Sequence, residues 1–229
     1  MGGRQYCMLI FILFILLAAF GLNIVGILTD NWYEVKTTDP SLNSTTKHAW
    51  NYHYGMWRRC FDTIPEGIPI TERSGKCITT YRDLIKRNED ALTNDERIKL
   101  HVSRAHVAFA IVCGAAELSA LIVLLCGMWP GNCRRVLKGG LFLTTSLILF
   151  FATICGITSG ICFIALRDLD QSRYAIYPDG VTSNYTWSFM IHWIGTGLCL
   201  VDSFILLCLI RRTYDDVTEL GAYSAYHTM

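Results

Sequence analysis

Charge is what this sequence has least of. Lys, Arg, Asp and Glu make up 17% of its 229 residues against a hydrophobic share of 52%, too little to cover a water-soluble domain of this length. Catalytic signatures are missing as well. There is no HExxH, no Gly-rich phosphate loop, no GxSxG and no Cys/His cluster at zinc spacing, so no residue set is at hand for metalloprotease, nucleotide-driven, serine-hydrolase or structural-zinc chemistry. The reading is therefore a protein that is not an enzyme, with no cofactor, no metal, no small-molecule substrate and no nucleic-acid partner. Net charge is nearly absent too, at +1, and between residues 29 and 104 twelve Lys or Arg face eleven Asp or Glu. That balance excludes a simple charged ion filter.

What the chain does have is long apolar runs. About 20 residues at 1.5 Å each cross a hydrocarbon core of about 30 Å, and four runs qualify: Cys7 to Leu28, Ser103 to Met128, Gly139 to Leu166 and Trp187 to Ile210. The first exceeds a typical signal-peptide core, which is the alternative that Arg4 and the small residues Ala18, Ala19 and Gly21 raise. The layout is then an N-terminus and first span (1–28), a long loop (29–102), spans at 103–128 and 139–166 around a basic turn (129–138), a second loop (167–186), a fourth span (187–210) and a tail (211–229). Arg4, Arg134, Arg135, Lys138, Arg211 and Arg212 form the basic set that the positive-inside rule places in the cytoplasm with both termini. Sequons at Asn43-Ser44-Thr45 and Asn184-Tyr185-Thr186 fall in the two loops left outside, where glycosylation is expected.

Six of the ten cysteines (113, 126, 155, 162, 199 and 208) lie in apolar runs and read as small hydrophobes. Cys60 and Cys77 sit together in polar sequence, and an oxidising outside compartment suits a bond between them. Strand-like stretches flank them: Trp32 to Lys36, the aromatic Ala49 to Phe61, and Lys76 to Tyr81. A loop from Thr38 to Lys47 and a Pro/Gly-punctuated excursion from Ile64 to Gly75 separate these. Arg82 to Leu100, with its interleaved charges, predicts a solvated helix leading into the second span.

His48 and His53 lack a neighbouring Cys or carboxylate, and His101 and His106 read as polar residues at the outer mouth of the second span. Glu117 and Asp202 differ, because an ionisable side chain inside a span costs several kcal/mol unless neutralised or paired. Counting along the helices puts both about 21 to 23 Å below the outer boundary, level with Thr144, Thr145 and Ser146 on the third span. The leading expectation is a polar layer of protonated acids and hydroxyls; contact with a partner's helix and an ion pathway are the alternatives. Gly156 to Gly160, and Gly114-Ala115-Ala116 with Ala120, present small faces for close packing within the bundle, with dimerisation with another protein as the alternative. In the tail, Tyr214-Asp215-Asp216-Val217 and Tyr226-His227-Thr228-Met229 fit a Tyr-x-x-apolar sorting pattern, against the plainer reading of a disordered tail.

The set Trp32, Gly55-x-Trp57-x-x-Cys60, Cys77 and Arg104 resembles the first-loop signature of the claudin superfamily, which includes peripheral myelin protein 22 and the calcium-channel gamma subunits. Thr29 to Glu34, Gly55 to Cys60, Leu100-His101 and Tyr185 to Ser188 are similar to segments of its transmembrane protein 178 branch. The resemblance implies a left-handed four-transmembrane-helix bundle with a small antiparallel β-sheet closed by Cys60 and Cys77. Trp32 and Trp57 would lie on the sheet's membrane side, with Arg104 near them. Two departures from true claudins, longer spacings in the first loop and an ending His227-Thr228-Met229 without Tyr-Val, favour the accessory-subunit branches. The expected function is a regulatory subunit whose partner is another integral membrane protein, a channel or a regulator of calcium influx, in the plasma membrane or alternatively the endoplasmic reticulum. The alternative is a claudin-like adhesion or paracellular barrier component.

Overall fold

The computed structural model describes residues 3–39, 47, 50–64, 73–80, 84, 92–128, 135–170, 177 and 179–227, without the side chains of 3–5, 73, 135–139 and 212–227. Four helices dominate: α1 (Gly3–Leu28), α2 (Asn94–Met128), α3 (Arg135–Leu169) and α4 (Trp187–His227). Each is long and apolar enough to cross a membrane, over Tyr6–Leu28, Asn94–Met128, Gly140–Leu169 and Trp187–Arg211. The helices outrun the apolar segments for local reasons. Thr93 starts α2 with a capping box, its backbone N–H and hydroxyl donating to Glu96 Oε2 at 3.0 and 2.9 Å, and Asp95 and Glu96 complement the positive helix end. The basic turn is shorter than expected, because Arg135 and Lys138 already belong to α3. The tail is not irregular: α4 continues without a break to His227.

A six-stranded antiparallel sheet has the order β4-β5-β3-β2-β1-β6, with β1 at Tyr33–Thr37, β2 at Tyr52–Tyr54, β3 at Arg58–Phe61, β4 at Arg73–Ser74, β5 at Cys77–Thr79 and β6 at Val181–Tyr185. The single strand expected over Ala49 to Phe61 is instead a hairpin, with Tyr54 opposite Arg59 and the Gly55 N–H donating to the Arg58 carbonyl at 2.9 Å. The loop between α3 and α4 supplies a strand that its composition did not announce. β6 pairs along all of β1, from Tyr33 opposite Tyr185 to Thr37 opposite Val181.

The chain divides into two compact units. One comprises Met1–Gly21, Cys113–Ile154 and Gly195–Met229. Its core joins all four helices through Leu9, Ile12 and Leu16, Ala120 and Leu124, Phe142 and Leu149, and Cys199 and Leu206. The other comprises Leu22–Val112 and Cys155–Ile194. Its core gathers Ile27, Trp32, Tyr33, Val35, Met56, Ala110, Phe163 and Phe189. Phe11, Phe14, Leu118, Ile122, Leu147, Phe150, Ile194 and Phe204 are exposed on the helices, an arrangement that suits lipid tails as solvent.

Candidate functional site

The family-like residues converge in the unit that carries the sheet. Trp32 is fully buried, and its indole N–H donates to the Gly26 carbonyl at 2.6 Å. The Trp57 indole donates to the neighbouring Ile27 carbonyl at 2.7 Å. Both indoles thus satisfy carbonyls left open in the last turn of α1. Gly55 is needed for space: a β-carbon there would lie 2.4 Å from the Asp30 Cα, so the β2–β3 turn sits directly on the chain leaving α1. Asp30 in turn holds Arg58 through an ion pair at 2.6 Å. Cys60 and Cys77 face each other in the β3–β5 register and are joined by a disulfide. His53, opposite Cys60 across β2 and β3, belongs to no metal-binding group among the described residues.

Arg104 donates from Nε to the Leu84 carbonyl at 2.7 Å. Arg59 of β3 lies over the Tyr52 and Tyr54 rings at 4.9 and 5.5 Å, and Arg167 near the end of α3, which sequence reasoning missed, also joins the aromatic core. Its guanidinium lies 4.5 Å from the Tyr54 ring centre, 5.5 Å from Tyr33 and 5.4 Å from Phe163. Asp170 neutralises it at 2.9 Å and also pairs with Lys99 of α2. A basic residue at the end of an apolar run reads as an interfacial anchor, so the signal was there and its meaning was not. Burial raises the phenols of Tyr52, Tyr177 and Tyr185 above their usual range, against the opposing pull of the Arg167 cation.

Two buried histidines complete this unit. His106 Nδ1 lies 3.0 Å from the Ser159 carbonyl oxygen and His192 Nε2 lies 3.1 Å from that of Gly156. A carbonyl only accepts, so each of those nitrogens carries the proton. The Ser159 hydroxyl returns a bond to the His106 carbonyl at 3.0 Å. Gly160 serves packing within the chain, because a β-carbon there would meet the Trp193 ring at 2.6 Å. Asn184 is exposed on β6, opposite Glu34.

In the other unit Glu117, Asp202, Thr145 and Ser146 are all fully buried. The Cys199 thiol donates to Glu117 Oε1 at 2.9 Å, with Cys113 3.6 Å from the same oxygen. Ser146 and Ser203 exchange hydrogen bonds between α3 and α4, each hydroxyl reaching the other's carbonyl at 2.9 Å. Thr145 turns back to the Leu141 carbonyl of its own helix, and Thr144 similarly to Gly140. Both Asp202 oxygens are buried with no hydrogen-bond partner among the described residues. Glu117 and Asp202 are thus both shielded from the surface by the chain's own helices. Asn43 and His48 lie outside the described residues. Tyr214 and Tyr226 lie on α4, their side chains outside the described set.

A family model described as PMP-22/EMP/MP20/Claudin tight junction matches residues 17–208. No curated protein matches the chain.

Proposed function

Because the chain belongs to the PMP-22/EMP/MP20/claudin family, we propose that it is a non-catalytic accessory subunit that docks on another integral membrane protein and modulates a channel or calcium signalling. The observation that carries this reading is the distribution of exposed apolar side chains. Among the described residues of the sheet and its connections, from Thr29 to Thr93 and from Asp170 to Thr186, no large hydrophobic side chain is exposed. The helices instead carry exposed ridges such as Leu147, Phe150, Phe151 and Ile154 on α3 and Met190, Ile194, Val201 and Phe204 on α4. Adhesion across two cells asks for a sticky outer face, whereas a lateral subunit needs only a side that a host's helices can replace lipid on.

The test is expression in junction-free fibroblasts, in an epithelial layer, and beside a co-expressed channel. An accessory subunit alters current or calcium influx and forms no strands by freeze-fracture, leaving paracellular resistance unchanged. Strands with unaltered currents and calcium signals would establish the adhesion or barrier reading instead.

A further inference from the structure

Around Trp32 the buried polar groups are balanced for one protonation state. Trp32 packs against His106 of α2 and His192 of α4, each with its ring centre 5.1 Å away. Both imidazoles give their one N–H to α3 carbonyls within the small-residue segment, at Ser159 and Gly156. Their remaining nitrogens, His106 Nε2 and His192 Nδ1, are buried with no hydrogen-bond partner among the described residues. Among the described residues the rings packed on the two imidazoles supply no acceptor for a second proton: Trp193 lies beside His192, Phe163 of α3 packs on His106, and the Trp32 indole N–H is committed to Gly26. The Arg167 guanidinium lies 5.4 Å from the Phe163 ring that packs on His106, and the carboxylate that pairs with it, Asp170, is already shared with Lys99.

We propose that His106 and His192 form a proton-sensitive latch, which holds Trp32 and α3 together while both rings are neutral and releases them when either ring takes up a proton. A second proton creates an N–H that nothing accepts and a positive charge in a dry core, an arrangement proteins avoid. In the unfolded chain the same imidazole takes the proton freely near its ordinary value of about 6.5. Stability is therefore present above that pH and is lost as pH falls below it, by up to about tenfold in the equilibrium constant per histidine and per pH unit.

The experiment measures hydrogen-exchange protection of residues 156–160 in the full chain in lipid nanodiscs, between about pH 7.5 and about pH 5, the interval that brackets an imidazole's ordinary value. In the wild type, protection falls steeply across the window. In His106→Asn with His192→Gln, whose amides keep a donor at Nδ1 and Nε2 but take up no proton there, the profile is flat. Equal slopes in the two proteins overturn the latch, as does a flat wild-type profile, which remains decisive if the double variant fails to fold. A merely structural role for the histidines would lower protection in the variant equally at every pH.

Discussion

Gly55 rests on Asp30: a β-carbon at position 55 would stand 2.4 Å from the Asp30 Cα and 2.7 Å from the Thr29 carbonyl oxygen. Both obstacles are backbone and cannot swing away as a side-chain tip could. Gly55→Ala must therefore push the β2–β3 turn off the end of α1, straining the Trp57 bond to Ile27. We expect a loss at the upper end of the overpacking range, about 3 kcal/mol, and intracellular retention, checked by surface biotinylation against Gly21→Ala, where the space is open.

The disulfide fastens the short strands β3 and β5 near the outer end of the sheet order. Closing a loop of 17 residues stabilises by about 3 kcal/mol in the chain-entropy model. Cys60→Ser should cause retention and loss of surface protein, and Cys60→Ser with Cys77→Ser should behave like the single variant. Alkylation that finds both thiols free in native protein would count against this.

How much of this was legible depended on whether a residue's meaning is local. The spans, the cysteine pair and the Trp32 to Cys60 constellation could be read because apolar length and motif spacing are properties of a stretch. β6 could not: Val181-Thr182-Ser183-Asn184-Tyr185 is short and polar, and it is a strand because β1 lies beside it. Arg167, His192 and Ser159 were hidden differently. The rule that singled out Glu117, a polar residue in an apolar run, applies equally to His192, whereas the aromatic neighbours that give Arg167 its role come from β1, β2 and α3. Depth counting placed Glu117 and Asp202 at one level, yet the bond formed is between Glu117 and Cys199, nearly one turn from Asp202.

Asp202 costs the fold stability, since neither carboxyl oxygen has a hydrogen-bond partner among the described residues. Asp202→Ala should leave the melting temperature unchanged or raise it, whereas Cys199→Leu, which removes the thiol donor to Glu117, should lower stability by about 1 to 3 kcal/mol. Thermal unfolding in detergent compares them. A marked fall for Asp202→Ala would mean that Asp202 is paired in the native membrane.

Arg167 combines a shared carboxylate with three aromatic rings, and Lys does not reproduce a planar guanidinium stacked on rings. Arg167→Lys should therefore destabilise clearly, and Arg167→Met more, by about 3 to 5 kcal/mol, because Asp170 is left buried with half its counter-charge. Adding Asp170→Asn should recover part of the Arg167→Met loss. A double-mutant cycle with no coupling between the two positions would show that the ion pair is incidental.

The tail prediction turns on backbone shape. Peptide signals that dock by strand addition are read in extended form, and a sorting signal of that kind at Tyr214 or Tyr226 is available only when this part of α4, helical to His227, unwinds. The segment after Ile210 is no longer supported by an apolar run, so its unwinding is opposed mainly by its own helix propensity. Breaking the helix from within should make the signals easier to read: Thr218→Pro, with a cost of about 3 kcal/mol to the helix, should speed uptake from the cell surface. Tyr214→Ala with Tyr226→Ala should slow it and abolish the gain from the proline. Antibody-feeding rates for the four proteins check this, and uptake that ignores both the tyrosines and the proline would remove the tail from the sorting of this protein.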